Sequence, residues 1–203
     1  QIKAPKGLSP IYLKDYLHRK LTIVFHICFN QWLKLNGGEI NFLNYYFDKS
    51  GNNRSNDQSK FVATLNKIHI DKTSSFIPDI NAIFSLNSEK YLFLFEQHNG
   101  KDTKRLYEQL YVHIIAIAKG IVSEKYNLQK SHKVVIVCEE KSVKDSVIHR
   151  LQKLDGIKHY NNFFLFKTNK ELEEDFDNNW TLISGKHVTF IPKPTKENKI
   201  VYP

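Results

Sequence analysis

Three side chains with metal-ligand chemistry, Asp79, Glu96 and His98, fall on or beside two neighbouring apolar stretches, Phe76–Leu86 and Tyr91–Gln97. Both stretches read as strands, and Asn87-Ser88-Glu89-Lys90 between them reads as a tight connection. Closing the hairpin there sets Leu86 against Tyr91, Asp79 against His98 and Asn81 against Glu96. Strand alternation then gathers Asp79, Asn81, Glu96 and His98 on one face, with Ile80, Ala82, Phe84, Leu86, Tyr91, Phe93 and Phe95 on the other. Asp79 and Glu96 become diagonal neighbours, about 5–8 Å apart. Two carboxylates about 5 Å apart repel by roughly 3 kcal/mol at an effective dielectric of about 20. A divalent cation removes that repulsion, and hard oxygen ligands suit Mg²⁺ or Mn²⁺. Such an ion activates a water and stabilises charge on a phosphate under in-line attack. A purely structural reading stands beside this one: Asp79 caps the turn after Pro78 and Glu96 pairs with a nearby lysine.

The residues that follow weigh toward chemistry on phosphate. Asn99-Gly100 is a sharp turn, and Lys101, Lys104 and Arg105 occupy the first turns of the helix beyond it. A helix start attracts phosphate through its free amides and its dipole. The acidic pair and the basic helix start together describe a phosphodiester site better than either does alone. In this reading Asp79, Glu96 and His98 bind the metal, with His98 as ligand or base. Lys101 assists catalysis, and Lys101, Lys104, Arg105 and Gln109 contact DNA.

The composition is compatible with such a substrate. Thirty basic residues against 21 acidic give a net charge of +9 over 203 residues. That balance favours a polyanionic partner, because lysines and arginines that neutralise phosphates release counterions. Apolar residues make up 41% of the chain, enough for one core and one domain, residues 1–203. The apolar run Leu21–Phe29, interrupted by His26, is far too short to span a bilayer, so no membrane insertion is expected. Cys28 and Cys138 sit inside apolar runs and read as buried thiols in a reducing, cytoplasmic compartment. Neither a zinc-ligand spacing nor a phosphate-binding glycine loop occurs. The chain contains no methionine and begins at Gln1, which points to a preceding segment.

Several elements must position these residues. Ser9-Pro10 opens a helix, with Ser9 as N-cap, that Gly37-Gly38 stops. Its expected seam is Leu13, Leu17, Leu21, Val24, Cys28, Trp32 and Leu35. Glu39–Phe47 reads as a short strand or helix, Asp48–Lys60 as a polar loop and Phe61–Ile70 as an edge strand. After the hairpin a single helix is expected from Asp102 to Tyr126. Next come a buried strand over His132–Glu139 and a helix over Lys141–Leu154. A strand over Phe163–Phe166, an acidic helix over Lys170–Asp177 and a last strand over His187–Ile191 complete the series. Helices alternating with strands give an α/β domain with a mixed central sheet flanked by helices.

Ile77-Pro78-Asp79, an intervening strand, then Glu96-x-His98 ahead of a helix resembles the PD-(D/E)XK (restriction-endonuclease-like) signature. The wider chain is similar to the plasmid replication-relaxation family and the related MobC-type mobilisation relaxases. The matching stretches are His18–Ile40, Phe76–Leu86, Phe93–Leu110, Lys133–Leu151 and Phe163–Phe176, with Trp180 beyond. The resemblance implies a PD-(D/E)XK core in which Asp79 opens the second core strand and Glu96 lies in the third. It implies a metal-dependent endonuclease or relaxase that nicks plasmid or conjugative-element DNA at an origin of transfer or replication. Its partners would be origin DNA and other mobilisation proteins, with a winged-helix module ahead of this domain. His98 departs from the family, replacing its second acid and the lysine of general PD-(D/E)XK enzymes. That departure leaves a second reading, a catalytically inactive DNA-binding accessory protein on the same scaffold. Relaxases of the other major type need a His-hydrophobic-His pair, and only the single His69 is present here. His18 and His26 read as ordinary core or surface histidines. Gln109 resembles the Gln that some RecB-like nucleases place after their acid-x-Lys motif.

Overall fold

The computed structural model describes residues 13–50 and 63–191. The expected Ser9-Pro10 helix start and most of the polar loop before Lys60 lie outside the described residues.

Helix α1 (Leu13–Leu35) ends at Gly37, whose left-handed φ of 74° returns the chain onto the helix. Its buried seam is rotated by about one residue from the expected leucine seam. Thr22, Phe25, Phe29, Trp32 and Leu33 are buried, whereas Leu17 is 44% and Leu35 87% exposed. The sheet below decides the rotation, because it presents aromatic rings. Phe25 stacks on Phe95 with centroids 3.8 Å apart, and Phe29 meets Phe84 edge-on at 5.0 Å. Burying phenylalanine and tryptophan rings removes more apolar surface than burying the leucines.

The main sheet has seven strands. β1 (Glu39–Tyr45), β6 (Ile80–Leu86) and β7 (Glu89–His98) form an antiparallel meander. β8 (Lys133–Cys138) and β9 (Phe164–Thr168) continue it in parallel, and β10 (Trp180–Thr181) and β11 (His187–Val188) close it antiparallel. The spatial order is β1-β6-β7-β8-β9-β10-β11. The segment expected as loop and edge strand instead contributes two small pairs outside this sheet. These are β2 (Lys49–Ser50) with β3 (Ala63–Thr64), and β4 (Ile68–His69) with β5 (Ser75–Phe76). A bulge interrupts β1 between Ile40 and Phe42, and the Tyr45 amide donates to the Asp48 carboxylate at 2.8 Å.

The β6–β7 hairpin closes through two residues rather than four. Asn87 and Ser88 both take positive φ, 52° and 65°, the backbone of a two-residue turn matched to strand twist. Leu86 therefore faces Glu89 instead of Tyr91, and Ile80 faces Phe95. The register differs from the expected one by two positions, and an even shift leaves the side chains within β6 and β7 on their expected faces.

The helix expected over Asp102–Tyr126 is two helices. α2 (Thr103–Ala118) stops before Gly120, whose φ of 65° breaks the path, and α3 (Ile121–Lys125) follows. α4 (Lys141–Leu151) and α5 (Asn169–Glu174) flank β9 in sequence. α1 and α5 cover one face of the sheet, burying Phe84, Phe93, Phe95, Val135, Val137, Leu172 and Trp180. α2 and α4 cover the other, over Val134, Ile136, Cys138 and Phe166, while α3 buries Val122 near Leu92 and Leu94. β8 alternates between the two layers and is buried on both sides, as its unbroken apolar run requires.

Gly38, just past α1, packs closely against both the helix and the sheet. A Cβ there would lie 2.3 Å from Leu33 Cδ1 and 2.6 Å from the Ser85 carbonyl oxygen. Gly38→Ala is expected to cost about 1–3 kcal/mol in urea unfolding, since a backbone oxygen cannot move aside without shifting β6. An unchanged midpoint would mean that the β1 start slides freely against β6.

Candidate functional site

Asp79 and Glu96 meet where the β6–β7 ladder ends. The Asp79 amide donates to the Phe95 carbonyl at 3.0 Å, and its carboxylate accepts from the Gln97 amide at 2.7 Å. Asp79 thus brackets Glu96 from the adjoining strand. Each carboxylate is held by a different helix. His18 of α1 contacts Asp79 Oδ1 at 2.9 Å, the second contact on that side chain. From α2, His113 Nε2 lies 2.7 Å from Glu96 Oε1, and Gln109 donates to Glu96 Oε2. α1 and α2 lie on opposite faces of the sheet, so this polar centre runs through it.

The centre is dry. Asp79 is 8% exposed, Glu96 1%, His98 4% and His113 fully buried. Burial, with the Asp79 charge adding to it, holds the Glu96 carboxyl well above the usual range, while Arg105 works weakly against this. Burial pushes His113 well below the ordinary histidine value, aided by the neighbouring His132. His132, whose ring centroid is 5.8 Å from that of His113, is pushed down to about 3 by burial. Burial thus favours the protonated form of Glu96 and the neutral form of His113, whose contacting atoms lie 2.7 Å apart. Burial also lowers His98, followed by the charge on Arg105; Asp102, His18 and Asp79 lie within its electrostatic reach. Its Nε2 is buried with no hydrogen-bond partner.

The expected residues are distributed as follows. Glu96 and His98 share the face of the sheet covered by α2, whereas Asp79 is engaged from α1. Lys101, Lys104 and Arg105 are exposed at the start of α2, as anticipated. The helix start itself is not free, because Asp102 caps it and accepts from the Arg105 amide at 2.9 Å. An anion is already in place there, so an incoming phosphate meets the cationic side chains rather than the amides and dipole. Lys104 also reaches Glu108 at 3.9 Å. Gln109, half-buried, donates to Glu96. The sequence alone reads His18 as an ordinary core or surface histidine and gives His113 no role. The signal for His18 lay in its position on α1, seven residues before Phe25 on the sheet-facing side. His113 sits seven residues after Leu106, on the buried side of α2.

The donor set does not fit the divalent ion expected from the sequence. Both oxygens of Asp79 and both oxygens of Glu96 are already engaged by protein groups. Among the described residues, no three His, Cys, Asp or Glu side chains form a group that could hold a metal ion. Among the same residues no helix is long and apolar enough to cross a membrane. No protein-family model, curated protein or solved structure matches the chain.

Proposed function

We propose that this chain is a DNA-binding domain of plasmid replication or mobilisation, built on a PD-(D/E)XK-like core whose acidic centre is closed. Its partners on this reading are origin DNA and other mobilisation proteins. The core reading is supported by the order of elements: a helix, three antiparallel strands, a crossover helix and a parallel strand. In that order Asp79 precedes the second strand and Glu96 lies in the third. The observation that carries the binding reading over the enzymatic one is the closure of the centre. Four carboxylate oxygens engaged by His18, the Gln97 amide, Gln109 and His113 describe a structural polar core beside the exposed cations Lys101, Lys104 and Arg105.

One observation favours a second reading, a Mg²⁺- or Mn²⁺-dependent endonuclease nicking at an origin: the adjacency of Asp79 and Glu96 at the positions where the resemblance puts the catalytic acids. That reading requires Gln109 and His113 to release Glu96.

Supercoiled plasmid carrying the host element's origin, incubated with the protein and Mn²⁺, separates the two. Binding without nicking is expected. Nicking that disappears in Asp79→Asn would establish the endonuclease instead. Binding should weaken steeply between ~50 and 200 mM salt. Replacing Lys101, Lys104 and Arg105 together by alanine should lower the salt slope by about two to three, near 0.9 for each lost phosphate contact. A salt-independent affinity, or no DNA binding at all, would remove the nucleic-acid reading.

A further inference from the structure

We propose that Arg19 of α1 is a second phosphate-binding arm, on the opposite face of the sheet from Arg105 of α2, and that the DNA backbone is contacted from both faces at this end of the strands. The inference rests on the DNA-binding reading and deepens it by giving the backbone a path over α1 as well as over α2.

Arg19 is held ready for an anion. Its guanidinium carbon lies 4.9 Å from the centre of the Phe47 ring. The Tyr46 hydroxyl lies within reach of its charge, and the Tyr46 amide donates to the Asp79 carbonyl at 2.9 Å. The aromatic pair therefore ties Arg19 to the strand end that carries Asp79. Its sequence neighbour His18 contacts Asp79 directly. Among the described residues no carboxylate pairs with Arg19, and its Nε is buried with no hydrogen-bond partner. The Asp79 oxygens are occupied by His18 and the Gln97 amide, so they do not compete for the guanidinium.

The independent observation is His98. It is 4% exposed, its Nε2 lacks a partner, and both His18 and Arg105 lie within its electrostatic reach. Two buried nitrogens lack partners at this end of the sheet, His98 Nε2 on the α2 face and Arg19 Nε on α1, and the acceptor oxygens of a nucleic-acid backbone suit both. A phosphate has them, and a planar guanidinium takes two at once. Stacking on Phe47 removes part of the rotamer freedom that Arg19 would otherwise lose on binding. The two arms come from helices on opposite faces of the sheet, so a backbone held between them crosses the carboxyl ends of the strands. Open α/β sheets bind their ligands at those ends.

Fluorescence anisotropy of a labelled origin duplex, titrated at several salt concentrations, tests the assignment. Arg19→Ala should bind about tenfold more weakly, with a salt slope lower by about one, the change expected for one lost phosphate contact. Arg19→Lys should restore the slope while leaving affinity well below wild type, because an ammonium keeps the charge and loses the fork. Phe47→Leu should weaken binding without changing the slope, as befits a positioning residue. Wild-type affinity and slope in Arg19→Ala would overturn the proposal while leaving the DNA reading intact. Should Arg19→Ala fail to fold, Arg19→Lys decides: weaker binding at an unchanged slope supports the arm, and unaltered affinity overturns it. Absence of DNA binding in the wild type would remove the DNA reading, and this inference with it.

Discussion

Between pH 6.5 and about 4.5 the folded chain should lose stability as pH falls, and His132→Phe should remove about one proton of that slope, the lowered His26 and His98 supplying more of it. His132 is fully buried, both ring nitrogens lack partners, and burial takes its pKa from 6.5 to about 3. Its folded pKa is depressed, so below pH 6.5 the unfolded chain takes up a proton that the folded chain refuses. The stability this neutral imidazole permits is complete above 6.5 and falls by about 1.4 kcal/mol per pH unit toward 3. Glu96 and His113 do not mask the effect in this window. Glu96 is raised by burial and His113 lowered by it, so their contributions to the slope oppose one another between about 4.5 and 6.5. At pH 5 His132→Phe should therefore exceed wild type by about 2 kcal/mol, 1.5 pH units at about 1.4 kcal/mol each. The ring it removes makes no hydrogen bond that would be lost. Urea unfolding at half-unit pH steps measures it, and parallel pH profiles for the two proteins would show that His132 is solvated or paired.

Glu96 should distinguish sharply between two substitutions. Glu96→Gln preserves every contact, since its amide nitrogen donates to His113 Nε2 and its carbonyl accepts from Gln109. The stability of this variant at pH 7 should match or exceed wild type, because it also removes the cost of holding a carboxyl neutral where an unfolded glutamate would ionise. Glu96→Ala leaves the His113 and Gln109 nitrogens buried without partners and opens a cavity between β7 and α2. An unsatisfied buried polar group costs about 1–3 kcal/mol, and with the cavity the loss should reach about 3–5 kcal/mol. Chemical denaturation of the three proteins gives the answer. If Glu96→Gln were as damaging as Glu96→Ala, Glu96 would be an ionised carboxylate balanced by charge, and the closed-centre reading would fail.

The fold was legible wherever one physical signal dominated. The unbroken apolar run of β8 announced a strand buried on both faces, and alternation along β6 and β7 gave the correct faces. The hairpin register was not legible, because Glu89 and Lys90 read as turn residues while their backbone extends β7. Only the positive φ angles of Asn87 and Ser88 reveal that two residues suffice. The α1 seam was misplaced because leucine spacing and aromatic spacing run about one residue apart, and the ring-rich sheet that chooses between them is distant in sequence. Gly120 inside an apolar helical pattern gave no indication that it would end α2. At the centre, the proximity of Asp79 and Glu96 followed from strand pairing. Their partners did not, because His18 and His113 arrive from helices that periodicity places on a layer without fixing how far along the strands they dock.

The outer border of β1 has a consequence for assembly. A seven-residue strand at the margin of a sheet offers amides and carbonyls on which another chain could polymerise. Here the bulge after Ile40 breaks the regular ladder, Glu39 places an exposed charge at the entry, and Asp48 has already claimed the Tyr45 amide. A foreign strand finds no long uninterrupted run to copy. The border is blunted from within the chain, which discourages edge-to-edge growth of the sheet without needing a second protein to cover it.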